Sequence, residues 1–459
     1  MALTMVMLFM LRHTMKVYNA SYRDQEVFLF MITYVMIFSL IISNTVLMFI
    51  NRFISDCIYK EEAEKILPSF FGVVFFLLIL GNLVAVPYLF TLPVDNEFRM
   101  AALIQFSCML ILWVQMAYLS AVKQYAQVLL GFFAGAIVSI GSAAVAMYLG
   151  GDPLMAAMWS GAAGFLVMMF LFMAQLLAAY PPGKFNLFCF FPALDQYKIL
   201  VPTGFFMALG LYGHNFVTWL SEFKNQVFPT GVYCTRYDIP SFFAVLTITP
   251  MLVQFVVSLE LNFCRKNRAY FDTILYGGRL ADIQAAKNDM MKVLYRELAH
   301  MMEIQLIFTI LAVTFLGNFL ETVGLDQEMA GIYRILCFGY CIYGFSKCMV
   351  IILLYFDDRV GALIGAGIFT GTSILLTAVF LPFGTGTWGM GFLLAGMISS
   401  VFLMIRLKKY LQRLEYHVFC GQPLFVSEDQ GLFQKVEEQM AKSEEQFRKR
   451  RIEKSGEEE

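Results

Sequence analysis

His214, Thr218 and Glu222, preceded by Gly210, recur every four residues and share one face of any helix they occupy. Ionisable side chains inside an apolar segment are expensive, and a role in a transport pathway is their default reading. A second stripe follows in Tyr333, Tyr340 and Lys347, seven apart, with Tyr343 on nearly the same face. Aromatic rings and one cation suit a sugar or sugar-phosphate, by ring stacking and by charge. The competing readings are interhelical hydrogen bonding for the first stripe and, for the second, an aromatic seam with Lys347 snorkelling to the surface. Between the two stripes, Pro240 and Pro250 precede Gln254, Ser258 and Glu260. Proline within a span frees carbonyls and permits bending, so this segment is a candidate moving part. Gln254 joins the expected substrate pathway. Glu260 is a candidate ligand for a coupling ion, or else a partner of Arg265 or Lys266.

Other chemistries find no residues to carry them. The sequence has no GxxxxGK[ST] and no GxGxxG placed after a strand, so no nucleotide cofactor or built-in ATP motor is expected. Four histidines (13, 214, 300, 417) form no HExxH, and no catalytic acid–base pair can be assembled. The nine cysteines are scattered. Cys337 and Cys341 lie one helical turn apart without a third ligand, and read as packing rather than metal. The chain is expected to be neither an enzyme nor a metalloprotein.

The elements that must position these residues are membrane helices. The 459 residues are 59% hydrophobic and 15% charged, with a mean hydropathy of +0.68. Soluble domains carry about 25% charged residues. Apolar runs fall at roughly 1–11, 27–50, 70–90, 101–121, 125–149, 156–180, 199–221, 240–261, 301–320, 331–355, 360–381 and 388–405. A span needs about 20 apolar residues. The pattern therefore predicts an all-α integral membrane protein of about twelve helices. The first run stops at Arg12, too short to span, and reads as a first helix whose beginning is missing. Lys and Arg partition about 25 to 7 between alternate connections, with Lys347 inside a helix. The positive-inside rule places both termini in the cytoplasm.

Pro181-Pro182-Gly183 breaks the chain near its middle, and the two longest internal connections, 51–69 and 263–300, both open on a basic-aromatic cluster. These features predict two six-helix bundles, 1–183 and 184–406, followed by a charged cytoplasmic tail, 407–459. Parallel repeats of this kind recur in transporters. Within 279–300, Leu280, Ile283, Met290, Met291, Leu294 and Leu298 alternate with charged residues. They predict an amphipathic helix at the inner leaflet, with a solvated connector as the alternative. In the tail, Phe433, Val436, Met440 and Phe447 form a short stripe that could dock on a cytosolic partner.

The connections also carry a family resemblance. Arg52-Phe53-Ile54-Ser55-Asp56 followed by Tyr59 and Leu67-Pro68, Ala269-Tyr270-Phe271 leading to Tyr276-Gly277-Gly278, and Tyr355-Phe356-Asp357-Asp358-Arg359 resemble the PelG family over about residues 25–415. This is the transporter component of Pel exopolysaccharide synthesis, a branch of the multidrug/oligosaccharidyl-lipid/polysaccharide exporter superfamily. The resemblance implies a nascent amino-sugar-rich polysaccharide as cargo and the cytoplasmic (inner) membrane as location. It also implies a cytosolic glycosyltransferase and membrane scaffold or cyclic di-GMP-sensing proteins as partners. Arg52, Asp56, Arg265, Lys266, Arg268, Asp357, Asp358 and Arg359, all in these connections, are the expected partner- or lipid-docking residues. An ion-coupled small-molecule antiporter on the same fold and a non-transporting scaffold for the glycosyltransferase are the alternatives.

Overall fold

The computed structural model describes residues 2–122, 125–182, 186–316, 326–419 and 431. Among these, ten helices are long and apolar enough to cross a membrane. The two expected spans outside that set are α1 (Ala2–Val17), which is too short, and α8 (Leu200–Thr218), whose second half carries His214 and Asn215. Each of the twelve apolar runs is helical over most of its described residues. The apolar tail stripe from Phe433 to Phe447, Lys123 and Lys184 lie outside the described residues.

The chain divides into two compact units. The first takes the described residues up to Ala208, later than the expected boundary at 183, together with Gln226–Val232. Its helices are α1, α2 (Tyr22–Tyr59), α3 (Ile66–Thr91), α4 (Asn96–Val122), α5 (Tyr125–Tyr148), α6 (Pro153–Ala179), α7 (Phe191–Tyr197) and the start of α8. Local signals fix the ends. The Ser21 hydroxyl accepts from Asp24 N–H at 3.1 Å to open α2, and Asp152 accepts from Met155 N–H at 2.9 Å, just before Pro153, to open α6. Small residues then set the packing. A Cβ on Gly135 of α5 would sit 2.8 Å from the Gly164 carbonyl oxygen of α6, so the two backbones meet through glycine. The boundary moves to 208 because the chain after Pro182 folds back onto this unit. Gly72 of α3 lies under the Leu187 carbonyl, and Gly204 of α8 lies under that of Asn44 in α2.

The second unit takes Leu209–Asn225 and the described residues from Tyr233 to Phe419. It holds the end of α8, α9 (Thr235–Leu246), α10 (Thr249–Ser258), α11 (Cys264–Leu275), α12 (Leu280–Leu311), α13 (Gln327–Tyr355), α14 (Arg359–Phe380), α15 (Met390–Gln412) and α16 (Leu414–Phe419). The single expected helix over 240–261 is thus a bent rod of two helices that passes through a π turn, Leu259–Phe263, into α11. The amphipathic segment 279–300 is also corrected. It is the first half of the 32-residue α12, and Ile283, Met290, Leu294 and Leu298 are buried within the unit rather than laid on a leaflet. Its Lys287 Nζ donates to the Gln412 carbonyl at 2.9 Å and pairs with Glu415, so protein neighbours cover that face.

Two short strands absent from the sequence reading, β1 (Asn225–Phe228) and β2 (Gly231–Tyr233), form a hairpin around Pro229-Thr230. Within the first unit the hairpin tip is held by α2 and α3. Tyr34 donates to the Val232 carbonyl at 2.8 Å, and Thr91 and Thr230 share a hydroxyl bond at 3.1 Å.

Candidate functional site

The second unit contains a buried polar network built from α8, α9 and α13. Its centre is His214 of α8, which is fully buried. The ring uses both nitrogens: Nδ1 lies 2.8 Å from the Tyr237 hydroxyl of α9, and Nε2 lies 3.4 Å from the Tyr340 hydroxyl of α13. Ser241, one turn beyond Tyr237, completes the chain with a 2.8 Å bond to Tyr340. Phe392 of α15 packs against His214 at 4.2 Å between ring centroids and against Tyr340 at 4.8 Å. Tyr340, Tyr343, Phe369 and Phe392 together make an aromatic cluster around the polar core.

Next to it lies Asp238, one residue after Tyr237. Asn215 Nδ2 donates to Asp238 Oδ1 at 2.7 Å, while the Trp219 indole (2.8 Å) and the Cys234 backbone N–H (2.9 Å) donate to Oδ2. All three donors are neutral. The nearest arginine in sequence, Arg236, pairs with Glu328 of α13 at 3.2 Å. Burial pushes the Cys234 thiol up to about 12, with the Asp238 charge as a further cause, so the thiol stays neutral.

The structure brings His214 and Tyr340 together and sets Tyr343 beside them. Thr218 is buried, but its hydroxyl donates to the Asn215 carbonyl of its own helix at 2.8 Å. Glu222 departs from the expected stripe: α8 ends at Thr218, so the periodicity stops and Glu222 lies exposed in the following turn. Gln254 on α10 and Lys347 on α13 are half-buried and form no hydrogen bond or ion pair among the described residues. The side chain of Glu260 lies outside the described residues, although its backbone belongs to the π turn. Asp238, Asn215, Tyr237 and Ser241 were not singled out from the sequence. The available signal was a lone carboxylate two residues before Pro240, at the edge of an apolar run.

The expected docking residues divide by what they touch. In the first unit, Asp56 accepts from the Tyr197 hydroxyl at 2.5 Å, and Arg52 lies 3.4 Å from Asp56 and over the Tyr197 ring. These two residues therefore fasten α7 to the end of α2. Burial raises the Tyr197 hydroxyl above the usual phenol range, and the Asp56 bond adds to that. Asp358 is 5% exposed. It caps α14 through Gly361 N–H at 3.0 Å and takes both Nε and Nη2 of Arg406 on α15, at 2.7 and 2.9 Å. Arg265, Lys266 and Arg268 are exposed along α11. Asp357 pairs with Arg359 at 2.7 Å in the turn between α13 and α14. Among the described residues no three His, Cys, Asp or Glu side chains gather as a metal site.

A largely helical membrane architecture with a buried polar core has counterparts among solved structures. An outward-facing multidrug resistance MATE family transporter of the MOP superfamily superimposes with a TM-score of 0.60 at 13% identity, covering 90% of this chain and 96% of that one. An inward-facing MATE family transporter gives 0.59 at 12%, covering 90% and 95%. A MATE in its straight conformation gives 0.56 at 13%, covering 90% and 95%. The chain therefore shares the fold of these MATE family structures. The family comparison is more particular: PelG, described as "Putative exopolysaccharide Exporter (EPS-E)", matches residues 1–419. The chain belongs to the PelG family. No curated protein matches it.

Proposed function

We propose that this transporter moves a nascent exopolysaccharide of the Pel type, rich in amino sugars, across the cytoplasmic membrane as one component of a synthase complex. The observation that carries the reading is the PelG family match over residues 1–419, on a fold shared with MATE transporters over 90% of the chain. On this reading the protein performs no catalysis. Its work is to offer a polymer alternating or continuous passage past side chains that bind sugars weakly enough to release them.

His214, Thr218, Gln254, Tyr340, Tyr343 and Lys347 are the side chains we assign to that passage. Tyr340 and Tyr343 are 0% and 4% exposed in this structure, so sugar contact at these rings would require the α13–α15 aromatic cluster to open. Lys347, half-buried and without a partner among the described residues, is the best placed to meet an anionic group on the cargo or its carrier. A cytosolic glycosyltransferase and membrane scaffold or cyclic di-GMP-sensing proteins are the proposed partners. Both termini would lie in the cytoplasm, where the exposed Arg265, Lys266 and Arg268 would meet those proteins or anionic lipid headgroups.

The test is polymer partitioning in cells that lack this gene and keep the glycosyltransferase. Loss of secreted polymer on deletion, restored by the full chain, is the expected result. Unchanged secretion would remove exopolysaccharide as the cargo and leave a small-molecule transporter on the same fold.

A further inference from the structure

Beyond α16, which ends at Phe419, the described chain includes Gly431, and that residue belongs to the first unit. It lines a cleft of about 930 Å³ formed by the end of α2, the start of α3 and α7. The contact is close. A Cβ on Gly431 would stand 2.1 Å from Asp195 Oδ2 and 2.7 Å from Asp195 Cβ, so its backbone rests directly on this α7 side chain. Only glycine permits that approach. The cleft itself has an apolar wall and a charged rim. Phe53, Cys57 and Pro68 are buried along the wall, while Lys60 and Lys198 are exposed at the rim.

The sequence after Gly431 matches both features. Phe433, Val436 and Met440 are spaced by three and four, one apolar face of a helix, and Glu437-Glu438 set two acids beside it. Phe433 follows Gly431 by two residues, a reach of at most about 7 Å.

We propose that the tail segment Gly431–Met440 docks in this cleft of its own chain, as an intramolecular occupant that a soluble partner must displace to reach α7. Gly431 seats the backbone on Asp195, the apolar stripe meets the Phe53–Pro68 wall, and the two acids meet the rim lysines. A short tether holds such a segment at about millimolar effective concentration, so a site with a Kd of about 0.1 mM is occupied about ten times as often as it is empty. The stripe that reads in sequence as a contact for another protein is then available to that protein only after release. Neither the cargo nor its export enters this inference.

Cys189 provides the readout, because it lines the same cleft and is partly exposed, and Cys264 on α11, also partly exposed, is the internal control. Purified full-length protein in lipid nanodiscs, carrying Cys420→Ser, is reacted with a maleimide, and the labelling rate of each cysteine is read by mass spectrometry. We expect Cys189 to react about tenfold faster in a chain ending at Leu424 and in full-length Gly431→Leu, with Cys264 unchanged. A peptide of residues 428–450 added to the shortened chain should restore protection. Equal Cys189 rates in the full chain and in Gly431→Leu overturn the proposal, and this pair decides the matter should the shortened chain not fold. Protection that falls on dilution assigns the cleft to the tail of a second copy and overturns docking within one chain. A cleft open in the full chain and closed only by added glycosyltransferase assigns it to that partner, and overturns the proposal as well.

Discussion

Asp358 and Asp357 are adjacent acids of the same sequence cluster, yet their surroundings give them different work. Asp358 is buried, caps α14 and holds Arg406 through two bonds, whereas Asp357 is exposed and bonds only its neighbour Arg359. Losing a helix cap costs about 1 kcal/mol. Parting a fully buried ion pair would add several more, but Arg406 is 42% exposed and water can take over much of its solvation. Asp358→Ala should therefore destabilise the protein by about 2 kcal/mol, Asp358→Asn by less because it keeps the cap, and Asp357→Ala by almost nothing. Thermal unfolding in detergent checks the order, and equal shifts for Asp357→Ala and Asp358→Ala would refute it. The same contrast governs the aromatic core. Tyr340→Phe leaves Ser241 and one nitrogen of His214 without their shared hydroxyl, a loss of about 1 kcal/mol. Lys347→Ala leaves no described partner behind and should spare stability while lowering export. Secreted polymer and the melting temperature, measured on the same preparations, separate the two effects.

Helices bend where backbone groups can be satisfied by something else, and the α9–α10 break accounts for each of them. Pro250 lacks an N–H, and the Leu246 carbonyl that would have received it accepts instead from the Thr249 hydroxyl at 2.9 Å. Gln305 of α12 is fully buried and inserts its amide into the next gap. Its Oε1 accepts from Met251 N–H at 3.1 Å, and its Nε2 donates to the Thr247 carbonyl at 2.9 Å. One side chain thus stands in for a helical hydrogen bond and holds the kink open. Gln305→Leu should orphan both groups, at about 1–3 kcal/mol for each. A leucine variant as stable as the wild type would show that the bend does not depend on the wedge. This junction also marks where the sequence stops being readable. Twelve apolar runs announced twelve helices because continuous apolarity at span length has few other outcomes. Pro240 and Pro250 announced a bend in general terms. Gln305 could not be paired with Met251 without the fold, being one polar residue among apolar ones 54 positions away. Asp238 was passed over because Thr235-Arg236-Tyr237-Asp238 reads as a polar connection, whereas α9 begins at Thr235, five residues before the apolar run. Glu222 failed in the opposite direction: its four-residue spacing outlasted the helix that gave the spacing meaning.

At the scale of the whole molecule, charge separates the residues that hold each unit together internally from those exposed to meet other molecules. Of the eight expected docking residues, Arg52 and Asp56 are tied to Tyr197, and Asp358 is tied to Arg406. Arg265, Lys266 and Arg268 remain exposed on α11, and only Arg265 has a described bond, to the Leu261 carbonyl of its own helical rod at 2.7 Å. Three cations within about one turn of an exposed helix attract an acidic protein face or an anionic leaflet, each near-surface charge contributing about 1 kcal/mol to lipid attraction. Reversing all three to glutamate should therefore leave folding intact and weaken association strongly. Reversing Arg52 or Asp358 should cost stability before it reveals anything about partners. The decisive comparison is the triple reversal against Asp358→Ala, each assayed for melting temperature, for co-purification of the glycosyltransferase and for binding to vesicles with and without anionic lipid. Loss of glycosyltransferase with vesicle binding retained makes the α11 face a protein-docking surface, and the converse makes it a membrane anchor. A triple reversal that keeps both contacts would show that the basic face serves neither purpose, whatever the transporter carries.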